Sequence, residues 1–127
     1  MNVLEVNSLV LAYLGDGIYE NYVRAFLINK KIANVNDLQK ASLEYVSAKN
    51  QAKFLEELLD MDFFNEEELA VIHRARNYKS GRHPKNCDIL TYKHATALEA
   101  VIGYLTFVNN TSRVDDVMNY ILGGKIC

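Results

Sequence analysis

Residues 8–29 read SLVLAYLGDGIYENYVRAFLIN, a segment rich in alanine, leucine and tyrosine that predicts one long helix. On a wheel of about 100° per residue, apolar side chains cluster on two sides of this helix: Leu11, Leu14, Ile18 and Tyr22 on one side, and Ala12, Tyr19, Val23 and Leu27 on the other. Asp16 falls within the second cluster, and Asp16 and Glu20 are the only charged residues between positions 6 and 23. Gly15 and Gly17 flank Asp16 at a cost of about 1 kcal/mol each relative to alanine, which indicates a close approach by another group.

The composition of the whole chain is that of one globular domain. Its 127 residues are 50% hydrophobic and 24% charged, enough to bury a core without disulfides, and we expect a single domain over 1–127. One proline and six glycines favour long helices over many short strands. The chain has no apolar run of the roughly 20 residues that a membrane span needs, and no basic segment typical of a signal peptide. Its two cysteines do not suggest a disulfide framework, so we expect a reducing, cytoplasmic setting.

The hydrophobic periodicity predicts about six helices and no strand, an all-α fold. The predicted segments are 8–29, a second starting at 36, 47–59, 66–77, 92–109 and a sixth starting at 112. The predicted N-terminal caps are Asn36 with Gln39, Asn65 with Glu68, and Ser112 with Asp115. One long connection over 78–91 holds the only proline, and connections of this length are often functional.

Basic residues are concentrated around that connection. The net charge of −2 argues weakly against nucleic-acid binding, but positions 73–94 hold one acid and six bases, which are Arg74, Arg76, Lys79, Arg82, Lys85 and Lys93. The preceding segment 56–68 holds seven acids and no base. Such segregation indicates a surface for an anionic partner, and the alternative is a solvated loop that neutralises the acidic segment.

A second isolated acid lies in the fifth predicted helix. Glu99 is the only charged residue between positions 95 and 112, and Gly103 lies one turn after it. Two carboxylates on apolar faces, with a glycine beside each and no matching buried base, are typical of a site for a hard cation such as Mg²⁺. The alternative, of equal weight from the residues alone, is that Asp16 and Glu99 cap neighbouring helices or pair with basic residues.

Four short segments resemble a known family. YLGDGIYE at 13–20 is similar to the signature helix of the ribonuclease III family, and TALEAVIG at 96–103 is similar to its second acidic motif. VSAKNQA at 46–52 and RNYKSG at 76–81 resemble the short bacterial branch of that family, Mini-ribonuclease III. The resemblance spans nearly the whole chain and implies a ribonuclease III-type endonuclease domain without a double-stranded-RNA-binding domain.

The sequence departs from the longer members of the family at two acidic positions. Those members carry four acids, whereas Ala12 stands four residues before Asp16 and Thr96 stands three residues before Glu99. The short branch resembles this sequence in both departures. We therefore expect Asp16 and Glu99 to approach each other across two packed helices and to hold one metal ion.

The resemblance implies a homodimeric endoribonuclease that hydrolyses double-stranded or structured RNA with Mg²⁺, or with Mn²⁺ as a substitute. Asp16 and Glu99 are the implied catalytic and metal-binding residues. The implied role is maturation of the 23S ribosomal RNA precursor in a bacterial cytoplasm, with a ribosomal protein as a candidate helper. The alternative is an inactive ribonuclease III-like scaffold for RNA binding or ribosome assembly, and a weaker one is a helical protein-interaction module.

Further residues are assigned supporting roles on the same basis. The candidate RNA-binding residues are Arg76, Asn77, Lys79, Ser80, Arg82, Lys85 and Lys93, whose side chains suit phosphates and 2′-hydroxyls. Glu20 and Thr96 are candidate neighbours of the metal site, although Glu20 is also a reasonable solvated residue. Lys49 and Gln51 could support that site too, but helix-surface roles are the more common ones for such residues.

Overall fold

A computed structural model describes residues 6–78, 85 and 87–123. These residues form six α-helices and no strand: α1 (Ser8–Asn29), α2 (Val35–Val46), α3 (Ala48–Asp60), α4 (Glu66–Arg76), α5 (Ile89–Phe107) and α6 (Thr111–Gly123). The predicted all-α class and the predicted bounds of the first helix are confirmed. Lys79, Ser80 and Arg82 lie outside the described residues.

Helix α5 forms the centre of the fold. Residues 95–98 and 100–105 are buried on all of its sides, because α1, α3, α4 and α6 each pack against it. Helix α2 lies on the outside and packs against α1 and α3. Within the described part of the chain, no helix is long and apolar enough to cross a membrane.

Helices α1 and α5 cross in direct backbone contact. A Cβ atom on Gly15 would stand 1.7 Å from the carbonyl oxygen of Glu99, and a Cβ atom on Gly103 would stand 1.9 Å from the carbonyl oxygen of Leu11. Only glycine fits at either position, so the close approach expected beside Asp16 is confirmed at Gly15. Leu11, the earlier residue on α1, meets Gly103, the later residue on α5. The two helices therefore run antiparallel.

The N-terminus of α4 is fixed by the predicted capping box. The side chain of Asn65 accepts from the Glu68 backbone N–H at 2.9 Å, and the Glu68 side chain accepts from the Asn65 backbone N–H at 3.0 Å. Glu68 is only 1% exposed, and it also accepts from Nε of Arg113 at 2.9 Å. The guanidinium of Arg113 stacks on Phe63 at 4.1 Å, so α6 is tied to the start of α4.

The predicted cap of the second helix is wrong by two residues. Asn34, rather than Asn36, is the cap of α2, because its side-chain oxygen accepts from the backbone N–H of Asp37 at 2.9 Å. The Asn34 amide also donates to the Asp37 carboxylate at 3.0 Å. Asp37 stabilises this first turn by its charge as well, since helix N-termini carry partial positive charge.

Two other predicted starts are also wrong. Helix α5 begins at Ile89, three residues earlier than expected, because the Asp88 side chain accepts from the Thr91 backbone N–H at 3.2 Å. Helix α6 begins at Thr111. The side chain of Asn110, not that of Ser112, accepts from the third backbone N–H of α6, at 3.4 Å.

Candidate active site

The structure brings Asp16 of α1 and Glu99 of α5 together beside the glycine crossing. Their carboxyl groups lie close enough for Asp16 to raise the pKa of Glu99, with Asp16 exposed and Glu99 partly buried. The expected approach of the two acids across packed helices is therefore confirmed.

The surroundings of Glu99 favour its protonated form. Burial raises the pKa of Glu99 to about 9, and the hydrogen bond and charge of Asp16 and the charge of Glu20 contribute in the same direction. No lysine or arginine of the described residues is among the groups that set this pKa. Burial and the neighbouring acids therefore disfavour a second negative charge at this position.

This pair fits a divalent cation by the chemistry of its donors. Both groups supply carboxylate oxygen, the ligand that Mg²⁺ prefers, and a cation can stabilise the negative charge that the proton otherwise neutralises. Within residues 6–78, 85 and 87–123, no three Asp, Glu, His or Cys side chains are grouped as metal ligands.

The helical wheel placed Asp16 within the second apolar cluster of α1, but the structure leaves its side chain exposed. Its neighbours on that side, Ala12, Tyr19 and Val23, are all buried, whereas Asp16 is exposed. A helical wheel shows the direction in which a side chain points, but it does not show whether another helix packs against that part of α1. Asp16 thus presents its carboxylate to solvent, where a substrate could meet it.

Gln51 of α3 lies near the two acids. Its side chain is 4% exposed and lowers the pKa of Glu99, against the larger effect of burial. The helix-surface role favoured from the sequence is therefore wrong for Gln51. Its spacing was an available signal, since positions 51, 52, 55 and 58 are the buried face of α3.

The remaining candidates around the site differ in their contacts. Glu20 lies close enough to raise the pKa of Glu99, and it also forms an ion pair with Arg24 at 3.6 Å. Thr96 is buried, one turn before Glu99 on α5. Lys49 is exposed, and its side chain forms no hydrogen bond or ion pair within the part of the chain that the structure describes.

Tyr19 packs beneath the acids as an uncharged group. It is fully buried, and its hydroxyl donates to the backbone carbonyl of Tyr45. Burial raises the pKa of Tyr19, and the nearby Glu99 and Tyr45 raise it further. Tyr19 therefore remains protonated and adds no charge to the site.

The described basic candidates lie at the end of α4, within the connection that follows it, and in the first turns of α5. Arg76 ends α4 and contacts His73 through Nη2 and Nδ1 at 2.9 Å, and Asn77 follows it as the exposed cap. Lys85 is exposed, and Lys93 is partly buried in the first turns of α5. Lys93 lies six positions before Glu99, a rise of about 9 Å along the helix.

An apolar surface is exposed on the N-terminal half of α1, next to Asp16. It consists of Leu9, Val10, Tyr13 and Leu14, and Tyr13 is 83% exposed. A Cβ atom on Gly17 would meet no other atom within 4 Å, so this part of the helix surface is open. Contiguous exposed apolar groups are typical of a surface that a partner covers.

Comparisons with known proteins agree on one family. The Ribonuclease III domain matches residues 9–110. The chain is 49% identical over 112 residues to Mini-ribonuclease 3 of Brevibacillus brevis, covering 88% of this chain and 82% of that protein. It is 46% identical over 110 residues to Mini-ribonuclease 3 of Desulfitobacterium hafniense, covering 87% and 68%. The structure of protein FN1578 from Fusobacterium nucleatum is also similar, with a TM-score of 0.84, 30% identity and 94% of both chains covered.

Proposed function

Since this chain belongs to the Mini-ribonuclease III branch of the ribonuclease III family and is an endoribonuclease, we propose that Asp16 and Glu99 are its metal-binding and catalytic residues. The observation that carries this proposal is the contact between the two acids, made by two different helices at one exposed position. An inactive scaffold would have no need to keep two acids in contact.

In this proposal Mg²⁺, with Mn²⁺ as a substitute, is held by Asp16 and Glu99. When bound there, the ion would neutralise charge on the scissile phosphate and favour loss of a proton from the attacking water. Asp16 lies on the solvent side and faces the RNA, while Glu99 is fixed by its buried surroundings. Two carboxylates suit one ion, and hydrolysis leaves a 5′-phosphate and a 3′-hydroxyl.

The proposed RNA surface is formed by the basic segment. Arg76, Asn77, Lys85 and Lys93 flank the connection before α5, and Lys79, Ser80 and Arg82 belong to the same segment of the sequence. Their donors suit phosphates and 2′-hydroxyls, which are the groups that duplex RNA presents across its minor groove. Binding would then depend on duplex shape more than on base sequence.

The proposed assembly is a symmetric homodimer that pairs the apolar surface of α1 with its copy. That surface, formed by Leu9, Val10, Tyr13 and Leu14, is exposed and apolar, and two-fold interfaces pair one such patch with its own copy. It adjoins Asp16 in the same helix. Pairing would therefore place two sites on one dimer, one for each strand of a duplex.

The proposed substrate is double-stranded or structured RNA, with the 23S ribosomal RNA precursor as its biological form. We place this activity in the cytoplasm, with residues 1–127 acting as one catalytic domain and a ribosomal protein as a candidate helper. The experiment is direct: the chain is incubated with a defined RNA duplex in Mg²⁺ and in EDTA, and the products are resolved on a denaturing gel. Cleavage in Mg²⁺ alone, leaving 5′-phosphates, is expected; equal cleavage in EDTA would rule out the metal.

A further inference from the structure

The charges of α3 are arranged against the preference of a helix. Its first half carries two bases, Lys49 and Lys53, and its second half carries three acids, Glu56, Glu57 and Asp60. A helix has partial positive charge at its N-terminus and partial negative charge at its C-terminus, so acids stabilise the first turn and bases the last. The two lysines are also one turn apart, where like charges repel. The stability of α3 therefore does not explain these lysines.

The two lysines also do not join α3 to another helix. Both are exposed, and neither forms an ion pair or a side-chain hydrogen bond within the part of the chain that the structure describes. Glu57, four residues after Lys53, accepts instead from the hydroxyl of Tyr120 at 2.6 Å. Lys49 and Lys53 thus present two positive charges to solvent, about 6 Å apart along the helix axis.

A hydrogen bond from α1 holds the start of α3 near Asp16. Tyr19, one turn after Asp16, donates its hydroxyl to the backbone carbonyl of Tyr45 near the end of α2. Ser47 is both the C-terminal cap of α2 and the N-terminal cap of α3, so no loop separates the two helices. Lys49 follows Tyr45 by four positions, which span at most about 14 Å. The first half of α3 is therefore fixed close to the part of α1 that carries Asp16.

The basic segment is joined to α1 on the other side of Asp16. The Asn7 amide, at the cap of α1, donates to the hydroxyl of Tyr78 at 3.1 Å, and Tyr78 lies where the connection after α4 begins. Asn7 and Tyr19 are twelve positions apart, a rise of about 18 Å along the helix, and Asp16 lies between them. The two basic parts of the chain are therefore attached to α1 on either side of Asp16.

We propose that Lys49 and Lys53 form a second phosphate-binding surface for duplex RNA, so that the substrate is held on both sides of Asp16. This proposal rests on the proposed function, cleavage of duplex RNA beside Asp16. Lysine side chains bind phosphate oxygens, and duplex RNA is bound mainly through its backbone. The acids in the second half of α3 repel that backbone, which confines the contact to the half of the helix next to Asp16.

The test measures the binding of one uncut RNA duplex in EDTA, by filter binding at several salt concentrations. Lys49→Gln and Lys53→Gln each remove one charge, and Lys40→Gln makes the same change at an exposed position of α2. Each lost phosphate contact should reduce the slope of log affinity against log salt by roughly 0.7–0.9, and the affinity at about 0.1 M salt by roughly 5- to 8-fold. Lys40→Gln should alter neither quantity.

The melting temperature separates RNA binding from a role in the fold. Because a positive charge in the first turn of α3 opposes the helix dipole, Lys49→Gln should melt at the wild-type temperature or slightly above it. Lys49→Arg and Lys53→Arg keep the charge and should keep the wild-type affinity and salt slope. Weaker binding accompanied by a lower melting temperature in both glutamine variants would show a structural role and overturn the proposal.

Lys85→Ala, in the basic segment, distinguishes the failure of this proposal from the failure of the proposed RNA surface. If Lys85→Ala weakens binding but the double variant of Lys49→Gln and Lys53→Gln binds like the wild type, only the α3 surface is wrong. If the double variant weakens binding and Lys85→Ala does not, the α3 surface is correct and the role of Lys85 is wrong. If neither changes affinity or salt slope, RNA binds elsewhere and both proposals are wrong.

Discussion

The backbone of Gly15 on α1 lies against the backbone carbonyl of Glu99 on α5, where a Cβ atom on Gly15 would stand only 1.7 Å from the oxygen. Asp16 directly follows Gly15 in the chain. The contact between the two acids is therefore set by backbone packing, before any ion binds. This relationship links the fold to the proposed chemistry, since a change in the helix crossing must also separate the carboxylates.

Gly15→Ala should destabilise the protein, because the new methyl group meets backbone atoms that cannot move aside without separating α1 from α5. Overpacking of this kind costs roughly 1–3 kcal/mol or more. Gly17→Ala is the matched control, since its methyl group meets nothing within 4 Å and alanine favours a helix by up to about 1 kcal/mol. Urea unfolding measures both, and equal stability of Gly15→Ala and the wild type would contradict the crossing.

The stability of the metal-free protein should fall as the pH rises from about 5 to about 9. Burial and Asp16 raise the pKa of Glu99 to about 9 in the folded chain, whereas an unfolded glutamate titrates near 4.3. In that range the folded chain binds more protons than the unfolded chain, so a rise in pH favours unfolding. The comparison uses melting temperatures at pH 6 and pH 8.5 in EDTA.

Glu99→Gln should show a weaker loss of stability over the same pH range, because the amide does not titrate. Glu44→Gln, at an exposed position of α2, is the matched control and should keep the wild-type pH dependence. Identical pH profiles for Glu99→Gln and the wild type would mean that Glu99 is not the titrating group.

Tyr13→Asp should weaken the proposed dimer at least about 10-fold, since it places a charge within the apolar surface of α1. Tyr13 is 83% exposed in the single chain, so the fold itself should tolerate the change. Leu43→Asp is the control, at an exposed apolar position of α2. Sedimentation velocity at micromolar concentration measures the association. A wild-type chain that is monomeric there, or an unaltered dimer of Tyr13→Asp, would refute this interface.

Replacement of Arg76 or Lys85 by alanine should weaken RNA binding about equally for unrelated duplexes. Each lost phosphate contact should reduce the slope of log affinity against log salt by roughly 0.7–0.9. Lys40→Ala, an exposed base on α2, should change neither affinity nor slope. The melting temperature of Lys85→Ala should hardly change, because Lys85 is exposed and exposed charges contribute about 0–1 kcal/mol. Filter binding without metal is the measurement, and unaltered binding after joint replacement of Lys79, Arg82 and Lys85 would show that RNA binds elsewhere.

Local signals in the sequence predicted the parts of the fold that depend on local interactions. The bounds of α1 and the capping box of Asn65 with Glu68 were correct, because both depend on residues within one turn of each other. The start of α5 was missed because Asp88 and Thr91 lie in a segment whose proline and basic residues favour a loop. Several residues there could cap a helix, and tertiary packing selects among them.

The two acids of the candidate site could be predicted from the sequence. The burial and the contacts of the residues around them were harder to predict. The isolated positions of Asp16 and Glu99 on apolar helices left a cation site and helix caps or ion pairs equally open. The family resemblance led to the expectation that the two acids meet, and the structure places them close together. The exposure of Asp16 depends on whether another helix packs against α1 at that position. Such packing between helices cannot be predicted from a local sequence pattern. The buried position of Gln51 was readable from the spacing of α3, but Glu99, the acid that it approaches on α5, lies 48 positions away in the chain.

The most direct test of the central claim, that Asp16 and Glu99 form the metal site of an endoribonuclease, is cleavage of one RNA duplex by Asp16→Asn. This change keeps the shape of an exposed side chain and removes its charge, so the fold and duplex binding should persist. With Mg²⁺, cleavage should fall at least about 100-fold below the wild type, a loss of roughly 2.7 kcal/mol of transition-state stabilisation. Wild-type cleavage by Asp16→Asn, with RNA binding intact, would contradict the account.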